Sequence, residues 1–235
     1  MEFDARSEWI IAHVGRNPAR RFLRSLKYWL DGRIDRLYGT DTRGRIPQRL
    51  LSITSDVKDQ ARAYEPMPER TFIKMMSYLP PPPCLSEFVF VDIGCGKGRG
   101  LIYAAQREFR KIIGIELSPE LARIAVANAN KLGDARIKIV CDDALKAKLP
   151  DAPCVFFLYA PFKPVEMYRT LAAKIEAIYR VNGKKVYILM WSASASGDAF
   201  SNASFLREIV RMRYRLDPAA RMPVPFAVWE SHTSN

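Results

Sequence analysis

The stretch from Phe88 to Gly100, Phe-Val-Phe-Val-Asp-Ile-Gly-Cys-Gly-Lys-Gly-Arg-Gly, constrains the fold more than any other part of the chain. A nearly unbroken apolar run ends in an acid and then in glycines at every second position. Such a run reads as a strand buried on both faces, as in a parallel sheet. Glycines at its carboxyl end let the backbone turn sharply and approach a ligand with no Cβ in the way. In open α/β sheets the ligand crevice lies at that end.

Downstream, short apolar runs alternate with longer helical patterns. Strands are expected at 88–92, Ile112–Glu116, Ile137–Cys141, Val155–Tyr159 and Val186–Trp191. Helices are expected at about 97–108, from Pro119 to Leu132 with Ser118 as cap and Gly133 as stop, and from Pro164 to Arg180. The alternation predicts an α/β fold, a Rossmann-like, mostly parallel sheet with right-handed crossovers. Met212–Leu216 and Phe226–Glu230 predict an antiparallel pair at one edge.

Upstream, Leu23, Leu26, Leu30, Ile34 and Leu37 recur at helical spacing from Ala19 to Tyr38, among basic residues, with Gly39 as the stop. Such a helix either packs its stripe on the neighbouring domain or lies on a membrane or partner. Asp41 to Asp59 reads as a surface loop. A further helix is expected from near Pro68 through Phe72, Ile73, Met76 and Leu79, ended by Pro80 to Pro83. The expected division is a basic, largely helical N-terminal extension over 1–63 and one domain over 64–235.

Totals exclude some classes. No apolar run approaches the ~20 residues of a membrane span, and Met1-Glu2-Phe3-Asp4 does not open a secretory signal. Cys84, Cys95, Cys141 and Cys154 lie far apart and read as reduced thiols of a cytoplasmic protein. His13 and His232 stand near the two chain ends, so neither a zinc site nor a histidine triad is expected, and no metal. The net charge of +12 points to acidic partners, nucleic acid among them.

Three ligands compete for the glycine loop. A P-loop needs Gly-Lys-Ser/Thr, whereas Lys97 is followed by Gly98. The dinucleotide fingerprint wants a glycine where Arg99 stands, a poor match that leaves a dinucleotide open. S-adenosyl-L-methionine (SAM) needs a close backbone at Gly94 and Gly96, with an acid such as Asp92 near its ammonium group. Two further strands end in acids. Glu116 stands where a carboxylate accepts from ribose hydroxyls, and Cys141-Asp142-Asp143-Ala144 puts another acid within reach of an adenine amino group.

The segments Val-Asp-Ile-Gly-Cys-Gly-Lys-Gly-Arg, Gly-Ile-Glu-Leu-Ser-Pro-Glu and Cys-Asp-Asp-Ala resemble those of the class I, seven-stranded SAM-dependent methyltransferases. From about Asp35 onward the chain resembles a bacterial subgroup of that class that brings no assigned substrate with it. That subgroup shares a Tyr-Gly-x-Asp-Thr segment, here Tyr38 to Thr42, and a Tyr-x-Pro-Ser-Pro-like segment, here Tyr64 to Pro68 with Met67 in the usual hydroxyl position. It is distantly similar to the seven-stranded protein-lysine methyltransferases. The resemblance implies strand order 3-2-1-4-5-7-6. It implies that Asp92, Gly94, Cys95 and Gly96 hold the methionine portion, Glu116 with Leu117 the ribose, and Asp143 or Asp142 the adenine. Tyr64 either closes over the cofactor or is an ordinary buried tyrosine.

The fourth strand ends in Tyr159-Ala160-Pro161-Phe162, where relatives carry Asn-Pro-Phe or Asn/Asp-Pro-Pro-Tyr to orient an acceptor amine. Ala160 offers no side-chain acceptor; backbone carbonyls, Tyr159 or Glu65 are the substitutes. Pro161 and Phe162 otherwise read as a strand terminator and a core aromatic. The leading expectation is methyl transfer to a protein side chain such as lysine. The alternatives are a SAM-binding interaction module with impaired catalysis, and a nucleic-acid methyltransferase.

Overall fold

The computed structural model describes residues 32–53, 61–79, 84–191, 198–214 and 223–232. Seven strands form one sheet: β1 (Val89–Ile93), β2 (Lys111–Glu116), β3 (Ile137–Cys141), β4 (Cys154–Tyr159), β5 (Val186–Trp191), β6 (Leu206–Tyr214) and β7 (Val224–Ser231). Their order is β3-β2-β1-β4-β5-β7-β6. The pairs from β3 through β5 are parallel. The reversed strand is β7, antiparallel to β5 on one side and to β6 on the other. The order reverses between β1 and β4, the switch point at which open α/β sheets bind ligands.

Helices α1 (Arg33–Tyr38), α2 (Glu69–Met76), α3 (Arg99–Ala105), α4 (Pro119–Leu132), α5 (Val165–Asn182) and α6 (Asp198–Ser201) complete the described residues, with 3₁₀ turns at Gln48–Leu50 and Leu85–Glu87. Because β1 is covered on both faces, all five of its residues are buried. Val89, Val91 and Ile93 pack with Tyr168, Leu171 and Ile175 of α5. Phe90 points the other way, against Phe72 of α2 and Ile102 of α3. Aromatic rings carry that second layer, with Phe72 at 5.8 Å from Phe90 and 5.6 Å from Phe157.

The helix expected at about 97–108 is shorter than its pattern, because Gly98 adopts φ 82° as its N-cap and Gln106 closes it. The strand expected from Met212 begins earlier, at Leu206, and a register shift between Glu208 and Val210 interrupts its alternation. Ser118 caps α4 by accepting from the Leu121 N–H, and Gly133 ends it at φ 66°. Of the basic helix expected at 19–38, α1 is the described part; residues 1–31 and the prolines at 80–83 lie outside the described residues.

Candidate functional site

The carboxyl ends of β1 to β5 open into a cavity of about 710 Å³, lined by every residue that the sequence singled out: Tyr64, Asp92, Gly94 to Gly96, Glu116, Leu117, Asp142, Asp143 and Tyr159 to Phe162. That volume lies within the few hundred to ~1,000 Å³ of small-molecule sites.

The glycine loop forms the floor. Gly94 and Cys95 both donate their N–H groups to the Ile115 carbonyl, at 2.8 and 3.1 Å, which fastens the loop to β2. Gly94, Gly96 and Gly98 all have positive φ, between 58° and 82°. At Gly96 a Cβ would lie 2.5 Å from two ring carbons of Tyr64, so only glycine fits beneath that ring. The Gly96 N–H donates to Glu116 Oε2 at 2.8 Å and the Ser118 N–H to Oε1 at 2.8 Å. Burial raises the Glu116 pKa against the pull of these amides. The carboxylate is thereby fixed in orientation, with lone pairs left over for hydroxyl donors.

Asp92 is 4% exposed, and among the described residues no donor or cation pairs with it. Burial, with Glu116 adding repulsion, pushes its pKa up to about 8. A buried carboxylate without a counter-charge is costly, and a ligand ammonium group would relieve it. This is the observation by which the site fits SAM: an acid in need of a cation, a backbone floor without Cβ atoms, and a pre-oriented carboxylate one strand away. Asp142 accepts from the Asp143 N–H and Asp143 from the Leu145 N–H, so both acids shape the turn after β3. Lys174 of α5 steadies the same turn through the carbonyls of Ala144 and Leu145.

Lys97 and Arg99, basic residues inside the glycine loop, bind the segment from Asp35 to Arg43. Arg99 Nε–H donates to Thr42 Oγ1 at 2.7 Å, and its Nη2 lies 3.6 Å from Asp35 Oδ2, both side chains being 2% exposed. Asp35 also accepts from the Thr40 and Thr42 hydroxyls at 2.8 and 2.7 Å. Lys97 Nζ pairs with Asp41 at 3.1 Å, and Asn128 of α4 bonds both Asp41 and Lys97 backbones. The Tyr38 to Thr42 segment thus becomes a bracket over the loop. Tyr64 hangs from it, donating its hydroxyl to the Thr42 carbonyl at 2.6 Å. The tyrosine is both buried and a wall of the cavity. Sequence reasoning had assigned Lys97 and Arg99 no such role, since their partners lie more than fifty residues away.

The loop after β4 is held from two directions. The Tyr168 hydroxyl donates to the Phe162 carbonyl at 2.9 Å and accepts its N–H at 3.3 Å. From the other side Ala61 bridges Phe162, and Arg62 Nε–H donates to the same carbonyl at 2.9 Å. Ala160 has φ 51°, the one positive value outside glycine among the described residues. Asparagine adopts that conformation several-fold more readily than alanine. Pro161 lies over Gly94, where a Cβ would come within 2.9 Å of it. Tyr159 stacks on Trp191 at 6.1 Å and 14°, and both line the cavity. Trp191 was not singled out from the sequence, where it reads as the end of a core strand. Glu65 lines the cavity but is held by Arg45 at 2.8 Å.

Residues 90–183 match a protein-family model described as a methyltransferase domain. No curated protein matches the chain. Among solved structures, a possible methylase from Clostridium difficile 630 is similar at 18% identity and TM-score 0.54, over 73% of this chain and 54% of that one. The protein yhhF of Escherichia coli is similar at 13% identity and TM-score 0.55, over 81% of this chain and 100% of that one. Magnesium protoporphyrin IX methyltransferase of Synechocystis PCC 6803, solved with bound SAM, is similar at 12% identity and TM-score 0.53, over 70% and 79%. The chain spans about half the length of the Clostridium protein. The fold is therefore that of the class I SAM-dependent methyltransferases. Within it residues 90–183 match a methyltransferase domain, and the cavity fits SAM as a cofactor.

Proposed function

We propose that the protein methylates a side chain of another protein, a lysine-type amine first of all. The observation that carries this reading is the stacked Tyr159–Trp191 pair beside the loop at Ala160. Aromatic faces accept the methylene stem of a lysine and attract its charged head. The placement of Tyr64 over the glycine loop supports it too, since the protein-lysine enzymes that the chain resembles also set a tyrosine-bearing segment over the cofactor.

In this reading Asp92, Gly94, Cys95 and Gly96 hold the methionine portion, Glu116 and Leu117 the ribose, and Asp142 and Asp143 the adenine. Bound there, SAM supplies an electrophilic methyl group. The chain supplies position: Phe162, Pro161 and Tyr159 fix the line of approach, and Tyr64 with Met67 keeps water from the floor. Orientation of this kind accounts for much of the rate of a simple displacement. Residues 64–235 act as the catalytic domain and 1–63 as an extension. Cys84, Cys95, Cys141 and Cys154 are all free, on which ground we place the protein in the cytoplasm. Among the described residues no helix is long and apolar enough to cross a membrane.

The test is incubation with methyl-labelled SAM and fractionated lysate. Label on lysine in a protein band is expected. Label confined to RNA, DNA or small molecules refutes the lysine reading. A protein that binds SAM yet labels nothing, and that gains activity on Ala160→Asn, would be the interaction module instead, a reading that Ala160 alone favours.

A further inference from the structure

The cavity is polarised along the sheet edge. Asp92, Glu116, Asp142 and Asp143 stand where β1, β2 and β3 end. The opposite half, around the loop after β4, is lined by Arg49, Arg62 and Lys163. Bonds fix that placement. Arg62 is tied to the Phe162 carbonyl, and Lys163 Nζ donates to Gln48 Oε1 at 2.6 Å, in the turn that presents Arg49. Arg45 at the same mouth is neutralised by Glu65.

Among the described residues no carboxylate pairs with Arg49, Arg62 or Lys163. Arg62 bonds a backbone carbonyl and Lys163 a neutral amide, partners that order both side chains and bring no compensating charge. Elsewhere this chain does otherwise: Arg43 and Arg99 share Asp35, and Lys185 and Arg207 share Glu230. Surface cations scattered for solubility would not be expected to gather, without a carboxylate partner among the described residues, at the mouth of a cavity whose other half is acidic.

We infer that the acceptor brings the missing negative charge: the methylated amine lies in an acidic segment of its partner protein, with carboxylates on either side of it. The inference rests on the protein-amine reading above and names its substrate class. A lone lysine would approach three like charges, each repelling it by about 1 kcal/mol at contact distance in water. Flanking carboxylates turn that repulsion into attraction, and they leave the aromatic pair to the stem. Selection of this kind acts through encounter and rejection of wrong partners more than through raw affinity.

The experiment uses the full chain, labelled SAM and three peptides of equal length, with one lysine flanked by Glu, by Ala or by Arg. The Glu-flanked peptide is expected to show kcat/KM about tenfold or more above the Ala-flanked one, with the advantage shrinking as salt rises. In the R49E/K163E variant the order is expected to invert in favour of the Arg-flanked peptide, while SAM binding, measured by calorimetry, stays as in the parent and shows the variant folded. Equal rates on the three peptides overturn the inference and leave the lysine reading standing. A preference for Glu flanks that survives the charge reversal unchanged also overturns it. Transfer to RNA with none to any peptide overturns both.

Discussion

In the half of the cavity under β1, β2 and β3, four acids are carried at or just past the strand ends, and Arg99, which also lines it, is engaged by Asp35 and Thr42. Beside β4 the charges are basic, and they arrive from across the chain: Arg62 reaches Phe162 over 100 positions and Gln48 meets Lys163 over 115. The first half is a property of the sheet and would exist in any chain with those strand ends. The second is a property of the segments at 35–53 and 61–64, which must be docked before that half of the cavity has a wall. The two halves thus have separate structural foundations, joined at Tyr64.

The strongest way to break this comparison is to free the bracket. Arg99→Met leaves Asp35 buried beside a single, half-exposed Arg43. Removing one member of a buried pair costs about 3–5 kcal/mol. Urea unfolding should show a loss in that range, and hydrogen exchange should rise over residues 40–53 before it rises in β1. Equal protection in both would mean that the two halves are one cooperative unit.

A smaller effect, confined to the cofactor half, is expected from Asp92→Asn: SAM affinity falls about 100-fold by calorimetry, some 2.7 kcal/mol. The pH dependence sharpens it. Asp92 in the unliganded protein is held up to about 8 by burial and Glu116. A cationic ligand favours its ionised form, so affinity should rise with pH, by up to about tenfold per unit, until pH 8, and binding below 8 should release a proton. The unliganded protein has the opposite slope. The folded carboxyl keeps its proton where the unfolded one has lost it, so this contribution to stability is full below the ordinary carboxylate range and is lost as pH rises through about 8. Asp92→Asn should abolish both slopes.

The smallest expected effect is at the acceptor loop. Ala160 at φ 51° carries a strain that glycine does not. Ala160→Gly should raise stability by about 0.5–1 kcal/mol in thermal melts while SAM affinity stays unchanged. Ala160→Asn should add to the turnover number as well.

Legibility in the sequence followed the same division. β1, β3, α4 and β5 were readable within a residue or so because each is bounded by local signals: the glycines after Ile93, Gly133 after Leu132, Ser118-Pro119 before Glu120. The acids at 92, 116 and 142–143 were readable because strand ends locate them. α6 is a single turn, too short for periodicity to register. The start of β6 was hidden because the irregularity between Glu208 and Val210 shifts the inward face by one residue. Arg62, Trp191 and the true partners of Lys97 and Arg99 could not be found by spacing at all, since their roles are set by contacts between distant segments.

The buried Asp35–Arg99 pair also orders events in time. During synthesis Asp35 and Thr42 emerge first, and their anchors at Lys97, Arg99 and Asn128 follow only after β1 and most of α4 have been made. Until then the bracket has nowhere to dock, and contacts across such separations close slowly. In a nascent chain Tyr64 therefore settles on Gly96 only after β1, β2 and most of α4 have emerged. The wall that Tyr64 gives the cavity is thus made by a segment older than the floor it covers.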